Sequence, residues 1–151
     1  MRTYLVVVDE TREAENAVRF AARRAASTGG GVRIVAIVPP TEFVQWGNVQ
    51  ATIEDEAYQR AEALLASAAG TLMQESGIRP AITVRQGDAV AIVRTMLDEE
   101  EGIAALVLGA AEDGVPGPLV AYFAGPEAGK LPCPVMIIPG ALSREDIDRL
   151  S

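Results

Sequence analysis

Short β-branched runs alternate with amphipathic stretches along the whole chain, the pattern of a parallel sheet joined by helical crossovers. Tyr4 to Val8 (YLVVV) is the first predicted strand. Behind it Ala14, Ala17, Val18, Ala21, Ala22 and Ala25 recur at helical spacing, with Arg12, Glu15, Arg19 and Arg23 on the opposite face. Thr11 is the expected N-cap, and Gly29-Gly30-Gly31 ends the helix. Val32 to Val38 is the second strand, stopped by Pro39-Pro40. Residues 39–50 show no period and carry Phe43 and Trp46, read as the cover over one end of the helical layer. A long helix follows from about Ile53 to Glu75, closed by Gly77 and Pro80. Ala81 to Arg85 is the third strand, and Gly87-Asp88 turns into a helix predicted to stop near Leu97, before Glu99-Glu100-Glu101 burdens its C-terminal dipole. Ile103 to Leu108 is the fourth strand, Gly109 to Pro118 a Gly/Pro-rich turn, Leu119 to Ala124 a short helix, and Pro134 to Pro139 the fifth strand.

Five nearly continuous apolar strands require cover on both faces of the sheet, and right-handed crossovers leave few topologies open. The fold class predicted is α/β, a doubly wound five-stranded parallel sheet of order 3-2-1-4-5 with helices on both faces. In such sheets the ligand crevice lies beyond the carboxyl ends of the strands where the order reverses, here between the first and fourth. Residues 1–140 read as one domain without internal repeat. Residues 141–151 form a polar tail, with Ser143 to Ser151 expected as a frayed helical turn.

Composition narrows the chemistry. The chain has 151 residues, no His and a formal net charge of -8, so every mechanism that depends on an imidazole is excluded. An acidic chain whose only lysine is Lys130 is a poor match for a nucleic-acid backbone or an anionic membrane. Cys133 has no intrachain partner, which points to a reducing, cytoplasmic setting. No apolar run is long enough to span a bilayer, and the start at Met1 lacks the basic-then-apolar pattern of a signal peptide.

Asp9 ends the first strand, where it could accept hydrogen bonds from a ribose or base edge. Capping the first helix is an equal alternative from spacing alone. The turn GAAEDGVPGP could offer backbone N–H groups to a phosphate, but Gly and Pro also cluster in ordinary turns, and Glu112 and Asp113 put negative charge where a polyphosphate would sit. Gly125 to Lys130 (GPEAGK) has the wrong spacing for a P-loop, and Leu131 stands where a Ser or Thr is needed. A phosphoacceptor receiver would need a Lys after the fifth strand, where Pro139-Gly140 stands. Cys133, set between Pro132 and Pro134, reads as a small structural thiol. Nothing in the chain nominates a catalytic or metal-binding residue.

The start LVVVDETREAENAVRFA, the turn VRQGDAVAIV and the pair LVLGA and LPCPVMIIP together resemble the universal stress protein family, from about Tyr4 to Pro139. The resemblance implies a cytoplasmic stress-response protein, usually dimeric through its last strand, here Val135, Met136, Ile137 and Ile138. Some members bind ATP and others do not. In the binders the Asp after the first strand contacts the nucleoside, and backbone ending the second and third strands lines the base pocket; by position these are Asp9, Val38 and Gly87. Phosphates are held by Gly, two residues, Gly, nine residues, Gly and then Ser or Thr. Gly109 matches the first glycine, but Glu112 takes the second place and Tyr122-Phe123 the final pair. Counting back from Pro132-Cys133-Pro134 gives Ala121-Tyr122 instead, so neither register restores the motif. Gly114, Gly117 and Gly125 could serve only along another backbone path.

The expected function is therefore a non-catalytic, dimeric regulator with a degenerate nucleotide crevice at Asp9, Val38, Gly87, Gly109, Gly114 and Gly117, where a nucleoside, a monophosphate or no ligand at all is expected in preference to ATP. An ATP-dependent switch or slow ATP hydrolase is the first alternative, and a pure protein-interaction module the second.

Overall fold

The computed structural model describes residues 2–40 and 47–151, with the backbone alone for 47–51; Phe43 and Trp46 lie outside the described residues. In chain order the elements are β1 (Thr3–Val7), α1 (Arg12–Thr28), β2 (Gly31–Val38), α2 (Gly47–Ser76), β3 (Ala81–Gln86), α3 (Ala89–Glu99), β4 (Ile103–Ala110), α4 (Pro118–Phe123), β5 (Val135–Pro139) and α5 (Arg144–Leu150). The strands form one sheet in the order β3-β2-β1-β4-β5, and every pairing is parallel, as the sequence pattern predicts.

Side chains alternate across each strand, so both faces of the sheet are apolar. Tyr4, Val6, Ile34, Ala36, Ala105 and Val107 pack beneath α1 and α2. Leu5, Val35, Leu106 and Leu108 pack beneath α3 and α4 with Val93, Met96 and Phe123. Burying side chains of this kind contributes roughly 1.5–3 kcal/mol each before conformational entropy is set against it. The buried stripe of α1 is Ala14, Ala17, Val18, Ala21, Ala22 and Ala25, small side chains that let the helix axis lie close to the sheet.

The ends of α1 follow from its capping residues. Thr11 has extended dihedrals and its side chain accepts from the Ala14 N–H, while Gly29 adopts the left-handed conformation at φ 69° that closes the helix. Helix α3 runs two residues past the predicted stop. Its acidic end is tolerated because Glu100, the C-cap, pairs with Arg33 of β2 at 2.8 Å, and Arg94 pairs with Asp98 one turn apart at 3.6 Å.

The polar tail is a docked helix rather than a frayed turn. Ser143 and Asp146 form a reciprocal capping box, and Ile147 is fully buried. Arg19 of α1 grips both carboxylate oxygens of Asp148 at 2.9 and 3.0 Å and also pairs with Glu75, which in turn accepts from Arg144 at 2.8 Å. Asn16 donates to the carbonyls of Pro139 and Leu142, each at 3.2 Å, and so ties α1 to the exit of β5.

Candidate functional site

The strand order reverses between β1 and β4, and a crevice of about 460 Å³ opens there, at the carboxyl ends of the strands. That volume falls within the roughly 300–1,000 Å³ typical of small-molecule sites. The N-terminal ends of α1, α3 and α4 converge on it through Thr11, Glu13 and Ala14, Asp88 and Ala89, and Pro118 to Val120.

Of the residues nominated from sequence, Asp9, Gly87, Gly109 and Gly117 meet in this crevice. The Asp9 carboxylate accepts from the Thr11 N–H at 2.8 Å and from the Thr11 hydroxyl. Because Thr11 is itself the N-cap, Asp9 braces the cap and stands on the crevice wall at once. Gly87 sits at φ 141° and donates its N–H to the Val38 carbonyl at 3.0 Å. Val38 is buried and is not one of the lining residues; Ile37, Pro39 and Pro40 line the crevice in its place. Gly114, at φ 76°, lies in the same loop as Gly117 but outside the lining.

Gly109 is present for a different reason from the one its motif position suggests. A Cβ there would fall on the backbone carbonyl of Glu13 and within 2.9 Å of the Glu13 Cβ. The glycine lets the first turn of α1 rest directly on the end of β4. Gly140, just after β5, makes the same accommodation, since a Cβ there would meet the Ala110 carbonyl at 2.8 Å and the Glu13 Cβ at 3.4 Å.

The loop after β4 is ill suited to cradle a phosphate. Pro116 and Pro118 have no N–H, and Pro118 occupies the first turn of α4. Phe123, at the place of the motif's final hydroxyl, is fully buried in the core and stacks edge to face with Tyr122, with ring centroids 4.9 Å apart. Glu112 and Asp113 are exposed and do not line the crevice. The acidic residues that do are Asp9, Glu13 and Asp88, and no Lys or Arg is among the described lining residues. Lys130 is an exposed partner of Glu127 at 3.7 Å.

Sequence reading missed Glu13, since an acidic residue in the first turn of a helix has an ordinary explanation in the helix dipole. Only the approach of Gly109 and Gly140 marks it. Asp88 was found, but as the N-cap it is: its side chain accepts from the Ala91 N–H at 2.9 Å.

A second cleft of about 620 Å³ lies between α1, α2 and the segment after β5, and shares Val8 and Asp9 with the first. Its Arg19 and Arg144 are both committed to Glu75. Burial pushes the half-buried Cys133 thiol above its ordinary range, which disfavours the thiolate that a nucleophile needs. Among the described residues no cluster of metal-ligating side chains is present, and no helix is long and apolar enough to cross a membrane.

Fold and crevice together define a doubly wound α/β sandwich with a ligand-sized opening at its topological switch point. The model of the universal stress protein family matches residues 1–139, and the chain belongs to that family. Among curated proteins no sequence is similar enough to count as a match. The universal stress protein UspA from Lactobacillus plantarum superposes with a TM-score of 0.76 at 16% identity, over 91% of this chain and 97% of that one. A universal stress protein from Archaeoglobus fulgidus solved in complex with dAMP gives 0.66 at 21% identity, over 91% and 98%. A family member from Arabidopsis thaliana with AMP bound gives 0.62 at 13% identity, over 92% of each chain.

Proposed function

We propose that the protein is a non-catalytic, dimeric regulator of the universal stress protein type, acting in the cytoplasm, whose crevice takes an adenine nucleoside or a close relative and does not hold ATP. One observation carries this reading: a switch-point crevice of ligand size lined by three acidic residues and, among its described residues, no Lys or Arg. A triphosphate brings three or more negative charges, and its transfer chemistry depends on cationic groups that neutralise charge as it develops. The adenine ligands dAMP and AMP in solved relatives support the choice of base.

The dimer is assigned to the edge of β5, formed by Val135, Met136, Ile137 and Ile138. This strand has a neighbour on one side only, and Ile137 is 39% exposed. An open strand edge with an apolar side chain is stabilised by pairing with a second copy.

Native mass spectrometry of the purified protein reads oligomer and retained ligand together, with a dimer expected. A thermal scan with ATP and magnesium adds the second measurement, because a tight ligand must raise the midpoint. An upward shift of many degrees at micromolar ATP overturns the cation-free reading and favours an ATP switch. A monomer at working concentration overturns the β5 dimer.

A further inference from the structure

The family match ends at residue 139, and α5 lies beyond it. The helix is docked by a stripe on α1 at helical spacing, Asn16, Arg19 and Arg23. Asn16 donates to the carbonyls of Pro139 and Leu142, and Arg19 holds both carboxylate oxygens of Asp148. Arg23 donates to the Ser151 hydroxyl at 3.0 Å and to the Asp148 carbonyl at 3.3 Å. From α2, Glu75 accepts from Arg144. Apolar burial adds little, since Ile147 is the one buried residue of the seven in α5, and a helix so short is not stable alone. The ion pairs are weak singly, because the side chains of Asp148 and Arg144 are 36% and 72% exposed.

We propose that α5 is a strap: it opens as a unit while the sheet stays folded, and when docked it closes one side of the cleft between α1 and α2. Elements with few buried apolar contacts open at a lower free energy than the core. Opening also strands no charge. Arg19 and Glu75 pair with each other as well as with the strap, so each keeps a partner when Asp148 and Arg144 depart. Breaking such a network is most costly when a buried charge is left alone. The cleft of about 620 Å³ is built from the same clasp: Asn16, Arg19 and Glu75 line it from α1 and α2, and Leu142 and Arg144 supply the remaining side. Undocking carries that side away and widens access to the α2 wall at Ala68.

Amide hydrogen exchange of the full chain, read by NMR in increasing sub-denaturing urea, tests the strap. The amides of Ile147 and Ser151, bonded to the carbonyls of Ser143 and Ile147 at 3.1 and 2.9 Å, are expected to share one protection, at least about tenfold below that of β1 and β4. Their protection should barely change with urea while that of the strands falls steeply, because the slope follows the surface exposed on opening. Asp148→Asn should lower the α5 protection by about fivefold and keep its shallow urea slope. Maleimide labelling of Ala68→Cys, in a Cys133→Ser background, reads the cleft, and Asp148→Asn should speed it by a similar factor. Protection and urea slope in α5 equal to those of the core strands mean that the helix leaves only with the whole fold, which overturns the strap. Unequal protection of Ile147 and Ser151 overturns opening as a unit, and α5 protection unchanged in Asp148→Asn overturns the clasp. Lowered α5 protection with unchanged labelling at position 68 overturns closure of the cleft.

Discussion

Gly109→Ala separates two explanations of one glycine. A residue kept for phosphate binding could gain a methyl at little cost to the ligand-free protein. In this structure the added Cβ would coincide with the carbonyl of Glu13 and press within 2.9 Å of its Cβ. The obstacle is backbone in the first turn of α1, so no side-chain rotation relieves it. The turn must move off β4, which disturbs the Thr11 cap and the bonds from Asn16 to the carbonyls of Pro139 and Leu142. Overpacking of this kind costs about 1–3 kcal/mol. For a domain of this length each kcal/mol moves the midpoint by about 2–4 °C, so a fall of roughly 2–12 °C is expected in a thermal melt followed by circular dichroism without ligand. Gly140→Ala, which would meet the Ala110 carbonyl at 2.8 Å, should fall by a similar amount. A Gly109→Ala protein that melts within about 1 °C of the natural one would refute the packing explanation and return the glycine to ligand binding.

Gly70→Ala should have the opposite sign: Gly70 is exposed on α2 with nothing within 4 Å of a built Cβ, and relief of its backbone entropy should add about 0.5–1 kcal/mol in urea unfolding. Thr11→Ala removes the acceptor for the Ala14 N–H and the hydroxyl partner of Asp9; a loss of about 1 kcal/mol is expected in the same assay, largely restored by Thr11→Ser. Asp148 is held below the usual carboxylate range by its hydrogen bond from Arg19. A lowered folded value means that this stabilisation is present above the unfolded value of about 3.9 and is lost as pH falls through the folded one. Asp148→Asn should therefore melt earlier than the natural protein at pH 7, with the gap closing as the pH is taken below about 4.

The parts of the fold that local chemistry determines were legible in the sequence. A parallel sheet followed from apolar runs joined by helical crossovers, which leave few strand orders open, and Thr11, Gly29 and Asp88 marked helix ends because caps depend on residues only a few positions away. The C-terminal helix was harder. Ser143 and Asp146 carry a local start signal, but the tail docks through Arg19, 129 positions from Asp148, and through Glu75, 69 positions from Arg144. No window along the chain brings those residues together. The end of α3 shows the same limit, since the dipole cost of its acidic end is offset by Arg33 on a strand three elements earlier.

The site shows why residue type and place must be separated. Counting residues located the acidity of the phosphate region at Glu112 and Asp113, which the structure leaves exposed and outside the crevice. The pairing of β1 with β4 instead brings the first turn of α1 over Gly109, so the acidic residue next to that glycine is Glu13, 96 positions earlier in the chain. The same side chain also stabilises the positive end of α1, by a few tenths to about 1 kcal/mol. Glu13→Gln should thus lower stability slightly in urea unfolding, by no more than that amount, and an unchanged midpoint would show that the dipole of α1 does not use this charge.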